Sequence, residues 1–257
     1  MSATEIDMDA SHLTSKKVIR WRDTKFTIVC NEAPGHPSWW SHMDEFTTRD
    51  LWWKVKKDQE VLDIGADWGS YTLAALACGA HVIAWSPPFK AAAPIEAYGI
   101  SLSAWENGFE NRLQVVTSGL WSERGWLASM DGMRKPAFYK KRDTAMMVIQ
   151  EQPGYCSVLP VQRLDDFTGS YVFPDWIKID TEGCELEVLK GAVETLKKAR
   201  PRIFVENHPH VLPDAEKVVE EFLLSLKLGY EKVGTRPHYM VSHSLYAIPT
   251  RHLEVFE

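Results

Sequence analysis

Short apolar runs alternate with longer amphipathic stretches along most of the chain. Seven of these runs are rich in β-branched and aromatic residues and are predicted strands: 60–64, 81–85, 113–117, 176–180, 202–206, 230–233 and 245–248. Strands that alternate with helical stretches are typical of βαβ units. The pattern therefore predicts an α/β fold built around a mostly parallel sheet.

The stretches between the runs have apolar residues at spacings of three and four, which is the period of an amphipathic helix. Residues 185–198 carry one such stripe and are followed by Pro201, and residues 215–227 repeat the pattern. Upstream of the first strand, Thr47 and Asp50 have the spacing of a capping box. We predict helices over both stretches and a further helix that begins near residue 47.

Residues 126–173 interrupt the alternation. Glycine, proline and charged clusters dominate there, and only 146–149 and 158–161 resemble strands. Long connections inside compact domains are usually functional or disordered. We interpret this segment as an insertion between the third and fourth strands, with residues 1–44 as an N-terminal extension and 45–257 as the main domain.

Composition limits the possible functions. The chain has 257 residues and a net charge of -6, which argues against broad binding to nucleic acid or to anionic lipid. It contains no apolar run long enough for a membrane helix, and its first residues lack the basic and apolar regions of a signal peptide. The four cysteines are Cys30, Cys78, Cys156 and Cys184. They show no C-x-x-C spacing, which favours reduced, buried thiols over disulfides. We expect a cytoplasmic protein.

The strongest local motif spans residues 61–85. A strand ends near Asp63, a turn with Gly65 and Gly69 follows, and an alanine-rich helix leads to the next strand. Glycines at such a turn let a ligand approach the backbone, and the helix start offers free N–H groups. The turn predicts a nucleotide cofactor, although a plain strand–helix turn has the same local pattern. A nicotinamide-linked dehydrogenase is disfavoured because the G-x-G-x-x-G pattern is missing.

A second motif spans residues 176–209. Asp180 and Glu182 follow one predicted strand, and Glu206 and His208 end the next. Ligands of open α/β sheets bind outside the carboxyl ends of the strands, so these side chains are predicted to face one site. Taken alone, Asp180 and Glu182 could instead be acids that complement a helix start.

At these residues the chain resembles the FkbM family of S-adenosylmethionine (SAM) methyltransferases. The similarity runs from about residue 45 to 249. It rests on a D-I-G-A turn, a K-I-D-x-E-G-x-E segment that continues to L-x-G-A, a proline-led strand, and an E-x-H ending. In this sequence they begin at Asp63, Lys178, Pro201 and Glu206. The resemblance implies a Rossmann-like class I methyltransferase fold with seven strands and helices on both faces.

The resemblance also implies a cofactor and its site. SAM is expected to be surrounded by residues of the turn, by residues after the second and third strands, and by one acid upstream: Asp63, Gly65, Ala66, Asp67, Gly69, Ser86, Ser118 and Glu45. The implied reaction is O-methylation of a hydroxyl on a sugar or small metabolite. The acceptor is expected to be a small molecule, and the basic run at residues 134–142 could contact an anionic or nucleotide-linked one.

Candidate catalytic residues lie in the second motif. His208 is the predicted general base, because its ordinary pKa near 6.5 suits that role, and Asp180 or Glu206 would orient it. A variant adds Mg²⁺, held by Asp180, Glu206 and Asn207 in the manner of catechol-type O-methyltransferases. In that variant the ion also activates the acceptor hydroxyl.

One departure from the family pattern concerns the ribose. Class I methyltransferases usually have an acid at the end of the second strand, whereas this chain has Trp85 and Ser86. A serine hydroxyl cannot accept both ribose hydroxyls as a carboxylate does. The alternative is therefore a catalytically silent SAM-fold binding or regulatory protein. Trp68, Trp85 and Trp121 fall near the predicted pocket and could wall it, although core packing is the commoner role of tryptophan.

Overall fold

The computed structural model describes residues 15–21, 24–30, 54–87, 93–130, 137–142, 155–169, 171–238 and 241–252. Its strands are β1 Ser15–Trp21, β2 Thr24–Cys30, β3 Glu60–Ile64, β4 His81–Trp85, β5 Leu113–Val116, β6 Gly119–Leu120, β7 Gly125–Met130, β8 Ala137–Tyr139, β9 Tyr155–Gln162, β10 Trp176–Ile179, β11 Arg202–Asn207, β12 Glu231–His238 and β13 Val241–Ala247. Its α-helices are α1 Ser70–Ala77, α2 Ala93–Glu106, α3 Leu164–Thr168, α4 Glu185–Lys190, α5 Val193–Ala199 and α6 Ala215–Ser225.

The main sheet has seven strands in the order β12-β13-β11-β10-β3-β4-β5. Strands β11, β10, β3, β4 and β5 pair in parallel. Strand β13 is antiparallel to both β11 and β12. The predicted mostly parallel seven-stranded sheet is confirmed, with a mixed edge formed by the last two strands.

Apolar side chains cover both faces of this sheet. Along β4, Val82 and Ala84 join a core cluster with residues of α1 and α2. Ile83 and Trp85 point to the other face and join a second cluster with residues of α4, α5 and α6. Alternation along a strand thus places helices on both faces, as predicted.

The predicted helix over residues 185–198 is two helices, α4 and α5. Gly191 lies between the two helices, and its backbone packs closely against that of Trp121. A Cβ on Gly191 would lie 2.2 Å from the Trp121 carbonyl oxygen. The Asp165 carboxylate accepts hydrogen bonds from the backbone N–H groups of Glu194 and Thr195, which caps the first turn of α5. Apolar periodicity alone does not reveal this break, because both helices continue the same apolar stripe.

A second sheet follows the carboxyl end of β5, with strand order β6-β9-β7-β8. It occupies residues 119–162 and so begins before the predicted insertion at 126. The predicted piece at 158–161 lies within β9, and the piece at 146–149 lies outside the described residues. The sheet has its own apolar core, which includes Cys184 from the second motif. The buried residues of this core are Trp121, Leu127, Leu159, Val161 and Cys184.

Part of the predicted N-terminal extension belongs to the main core. Strands β1 and β2 form an antiparallel hairpin that packs on α2. Val29 N donates to Ser103 Oγ at 2.8 Å, and Phe26 and Ile28 are buried in the cluster with α1 and α2. The proposed boundary at residue 45 lies outside the described residues. Within the described ranges, no helix combines the length and apolar character needed to cross a membrane.

Candidate functional site

The turn after β3 has a backbone shape that depends on glycine. Gly65 and Gly69 have φ of 78° and 81°, and Asp67 between them has φ of 48°. A Cβ on Gly65 would lie 1.7 Å from the Asp180 carbonyl oxygen. The N–H groups of Gly65 and Ala66 both donate to the Trp85 carbonyl, which holds the turn against the end of β4. The turn is therefore locked to two neighbouring strands at once.

The start of α1 and the end of β4 offer polar groups that the protein leaves unused. Within the described part of the chain no side chain caps α1 at Gly69, and the first turn of this helix contains no acid. The Ser86 side chain is buried, and its Oγ has no hydrogen-bond partner among the described residues. Ser118, after β5, is half-buried and its Oγ lies 3.5 Å from Gln162 Nε2. Free donors at a helix start and an unpaired buried hydroxyl fit a polar cofactor at this edge of the sheet.

Asp63 supports the turn from below and has no exposed surface. Its Oδ2 accepts a hydrogen bond from Thr72 Oγ1 at 2.6 Å, and its Oδ1 lies 3.3 Å from Lys178 Nζ. Asp63 therefore positions the turn, and its predicted place beside the methionine half of SAM stays a prediction. Glu45, the other acid assigned to the cofactor, lies outside the described residues.

Lys178 joins the turn to the acids of the second motif. Its Nζ donates to the Gly65 carbonyl at 2.6 Å and lies 3.3 Å from carboxylate oxygens of both Asp63 and Asp180. Burial alone would lower the pKa of this ammonium, but the surrounding carboxylates raise it well above its usual value. Lys178 is therefore a permanent positive charge beneath the site.

Carboxylates surround the His208 ring, whose side chain is only 3% exposed. Its Nδ1 lies 2.9 Å from Glu185 Oε1. Its Nε2 lies 3.6 Å from one oxygen each of Asp180, Glu182 and Glu206. The strand ends predicted to face one site thus do meet, around a single imidazole.

This environment changes the expected role of His208. Burial opposes protonation, but the hydrogen bond to Glu185 and the nearby charges of Asp180 and Glu182 raise its pKa to about 10. In the free protein the imidazole is therefore protonated at neutral pH. The prediction of His208 as general base rested on the ordinary histidine pKa near 6.5, and a higher pKa lowers the neutral fraction that a base requires. The role of His208 stays a prediction.

Asp180 stays ionised despite its burial. Burial would raise its pKa, but the positive charges of Lys178 and His208 lower it below the usual value. Glu206 lies between two histidines, with Oε2 2.8 Å from His243 Nε2 and Oε1 facing His208. The site therefore presents carboxylate oxygens as its hydrogen-bond acceptors.

Asn207 lies apart from this cluster. Its Nδ2 donates to the Ser242 carbonyl at 3.1 Å and to Ser244 Oγ at 3.0 Å, on the opposite side of β11 from Glu206. The predicted metal set of Asp180, Glu206 and Asn207 is therefore not brought together. Potential ligand atoms of Asp180, Glu206 and His208 do lie within 4.8 Å of one another.

The tryptophans near the predicted pocket pack against protein. Trp85 is buried and makes an edge contact with Phe167 at 4.9 Å between ring centroids, and Trp121 stacks on Phe138 at 5.8 Å. Trp68 lies against Gly99 of α2. Core packing thus accounts for the positions of Trp85 and Trp121.

The predicted basic run ends on an exposed part of the second sheet. Lys140 pairs with Glu123 at 3.1 Å, and the Arg142 guanidinium lies over the Trp126 ring at 5.7 Å. Lys141 is exposed, and residues 134–136 lie outside the described residues. Of the four cysteines, Cys78 and Cys184 are free thiols, and Cys184 is buried as expected.

Two residues of the site were not predicted as functional. A lysine in the middle of a buried strand was the available signal for Lys178, since lysine is rarely buried unless paired. Glu185 is also buried, and its Oε1 accepts hydrogen bonds from the backbone N–H groups of Thr181 and Gly183 besides facing His208. Glu185 lies in the first turn of α4, where acids commonly complement the helix dipole. No feature of the sequence distinguishes it from such an acid.

A mostly parallel sheet with an antiparallel last pair, a glycine turn after β3 and acids at adjacent strand ends are features of a Rossmann-like fold with a ligand site at the carboxyl ends of its strands. The model of the Methyltransferase FkbM domain matches residues 63–232. The match covers more than half of the chain, so the protein belongs to the FkbM methyltransferase family, of the class I SAM-dependent type.

A solved structure from the same family shares the fold. A methyltransferase FkbM from Methylobacillus flagellatus is 20% identical with a TM-score of 0.55, and the match covers 75% of this chain but 44% of that one. The chain therefore spans less than half the length of that protein. A precorrin-6y C5,15-methyltransferase from Geobacter metallireducens is 13% identical with a TM-score of 0.44, and 76% and 81% of the two chains are covered. No curated protein matches the sequence.

Proposed function

We propose that this protein is a SAM-dependent O-methyltransferase that acts on a hydroxyl of a sugar or small metabolite. The observation that carries the proposal is the contact of Lys178 with Gly65, Asp63 and Asp180. One buried ammonium thereby holds the cofactor turn beside a cluster of carboxylates. A methyl donor on the turn and a hydroxyl on the carboxylates would then be neighbours.

The cofactor would lie along the carboxyl ends of β3, β4 and β5. Gly65, Ala66, Asp67 and Gly69 would border its methionine half, where the uncapped start of α1 favours a carboxylate. Ser86 would hydrogen-bond the ribose, and Ser118 would lie near adenine. When bound, SAM supplies an electrophilic methyl group on a sulfonium.

The acceptor hydroxyl would donate a hydrogen bond to Asp180 or Glu206. Asp180 is held ionised by Lys178, so it remains an acceptor at neutral pH. Methyl transfer is an in-line displacement, so most of the rate enhancement comes from positioning the acceptor oxygen against the methyl carbon. The hydroxyl proton would pass to a carboxylate as the new O–C bond forms and the methyl–sulfur bond breaks, with the bonding electrons left on sulfur and neutral S-adenosylhomocysteine as the leaving group.

A small anionic or sugar-linked acceptor is the partner we propose. The second sheet begins at Gly119, directly after the carboxyl end of β5 and hence on the edge of the main sheet where the site lies. Exposed Lys141 and Arg142, which follow β8 of this sheet, would contact the anionic group of such an acceptor.

Two measurements test this function. Calorimetry with S-adenosylhomocysteine, the demethylated cofactor, should show binding, and NADH should show none. Transfer of labelled methyl from SAM to a panel of sugars and nucleotide sugars should then identify an acceptor. With that acceptor, Asp180→Asn and Glu206→Gln should each lower kcat by about 100-fold or more, the lower range for a lost acid–base group.

A matched control is Glu220→Gln, a carboxylate of α6 that pairs with Lys232 away from the site. It should leave kcat and cofactor binding unchanged. Cofactor binding without methyl transfer to any hydroxyl compound would contradict the proposal. That outcome would favour the non-catalytic alternative suggested by Ser86.

A further inference from the structure

The cluster around His208 carries more negative than positive charge. Four carboxylates, those of Asp180, Glu182, Glu185 and Glu206, lie near one imidazole. Of these, Glu185 is buried, and Asp180 and Glu206 are about one quarter and one fifth exposed. Lys178 contacts Asp63 as well as Asp180, so Lys178 and the protonated His208 together supply two positive charges against five carboxylates. Carboxylates gathered in a poorly solvated place require a cation among them.

The His208 ring is aimed into this group of acids. Glu185 Oε1 accepts hydrogen bonds from two backbone N–H groups, so the carboxylate is fixed as an acceptor for His208 Nδ1–H. A metal ion would displace the proton that Nε2 carries in the free protein, while Glu185 would keep the other proton on Nδ1, so that Nε2 would supply the lone pair. Among the described residues, no acceptor lies within hydrogen-bond distance of Nε2, because its three nearest carboxylate oxygens are at 3.6 Å.

These separations suit a shared ion better than hydrogen bonds. With metal–ligand bonds of about 2.1 Å, neighbouring ligands of a tetrahedral site lie about 3.4 Å apart. Hydrogen bonds between nitrogen and oxygen are about 2.7 to 3.2 Å long. Oxygens at 3.6 Å from Nε2 therefore approach the edge length of a coordination polyhedron. A carboxylate behind the ligating histidine, as Glu185 is, also recurs in metal sites.

We propose that Asp180, Glu206 and His208 form a binding site for a divalent transition-metal ion, with Glu182 as an additional ligand. An imidazole with carboxylates suits Mn²⁺ or Zn²⁺, whereas Mg²⁺ prefers oxygen ligands alone. The site differs from the predicted magnesium set because His208 replaces Asn207. Glu182 is 67% exposed, so it can move toward an ion or leave room for a further ligand.

The ion would serve the proposed methyl transfer. A hydroxyl bound to a divalent cation loses its proton more readily, which a carboxylate alone achieves poorly for an alcohol. This role rests on the proposed function, but the site itself does not. Metal binding and cofactor binding can therefore be measured separately on the same protein.

The test is calorimetric titration of the full chain, stripped with EDTA, with Mn²⁺, Zn²⁺ and Mg²⁺ in turn. We expect one site that binds Mn²⁺ or Zn²⁺ at least about tenfold more tightly than Mg²⁺. Asp180→Asn and Glu206→Gln should each weaken that binding at least about tenfold, and Glu185→Gln, behind the histidine, by about 10- to 100-fold. Loss of the electron paramagnetic resonance signal of free Mn²⁺ gives a second readout.

Glu220→Gln is the matched control and should bind metal like the unaltered protein. The proposal is overturned if no ion binds with a stoichiometry near one, if Asp180→Asn and Glu206→Gln bind as tightly as the unaltered chain, or if Mg²⁺ binds as tightly as Mn²⁺. S-adenosylhomocysteine is titrated into the same stripped protein. Cofactor binding without metal binding rejects only the metal site, whereas metal binding without cofactor binding rejects only the methyltransferase.

Discussion

The turn after β3 and the cluster at the ends of β10 and β11 are neighbours that depend on different forces. The turn is fixed by steric limits, since Gly65 has a positive φ and no room for a Cβ. The cluster is fixed by charge, since His208 and Lys178 lie among carboxylates. A steric requirement depends on a few consecutive residues, whereas a charge balance depends on side chains from several elements.

The comparison predicts the largest effect for Gly65→Ala. The new Cβ would lie 1.7 Å from the Asp180 carbonyl oxygen, and the residue would also need a φ of 78°. Because backbone must move, we expect the free energy of unfolding to fall by more than about 4 kcal/mol, an exceptional value for one substitution. Chemical denaturation measures the change.

Gly108→Ala separates the clash from the strain of a positive φ. Gly108 has φ of 69°, but a Cβ there would meet nothing within 4 Å. We expect a loss of only about 1 to 2 kcal/mol, the cost of a left-handed conformation for an L-residue. Equal losses in the two variants would show that close contact with Asp180 does not fix the turn.

The second prediction addresses the charge that connects the two regions. Lys178→Met keeps most of the side-chain volume but leaves Asp63 and Asp180 without their shared cation. Removing one partner of a buried ion pair costs about 3 to 5 kcal/mol. We therefore expect a loss of stability in that range together with weaker cofactor binding, because the contact with the Gly65 carbonyl is also lost.

Lys190→Met is the control for Lys178→Met. Lys190 pairs with Glu187 at 2.8 Å on the surface of α4, where an ion pair contributes about 1 kcal/mol or less. A loss for Lys178→Met no larger than for Lys190→Met would mean that the turn and the cluster are held independently of each other.

The two regions also differ in how far the sequence predicts them. The strands, the glycine turn and the meeting of the two strand ends follow from apolar periodicity and from the rule that parallel strands end at one edge. The role of His208 does not, because its pKa depends on Glu185, Asp180 and Glu182. Those acids are close in sequence to one another but not to His208, and their distances to the ring depend on how α4 packs.

Residues 119–162 were the least predictable part of the fold. Strands β6 and β8 have only two and three residues, β7 begins at Gly125, and of β9 only residues 158–161 resemble a strand in the sequence. Pairing of β7 with β8 and β9 and a separate apolar core stabilise this sheet instead. Contacts of this kind join residues far apart in the chain, and local patterns do not contain them.

Substitution of Ser86, which follows β4 beside the glycine turn, is expected to change stability and cofactor binding the least. Its buried Oγ has no partner among the described residues, so Ser86→Ala removes no hydrogen bond from the free protein. We expect the free energy of unfolding not to fall, because removal of an unpaired buried hydroxyl also removes its desolvation cost. If Oγ pairs with the ribose, affinity for S-adenosylhomocysteine falls by about twofold to tenfold, the value of one hydrogen bond. Ser101→Ala, which removes an exposed hydroxyl bonded to the Ala97 carbonyl, should leave that affinity unchanged. An unaltered affinity in Ser86→Ala would place the ribose elsewhere along the strand ends, since removal of a hydroxyl that pairs with the cofactor would weaken its binding.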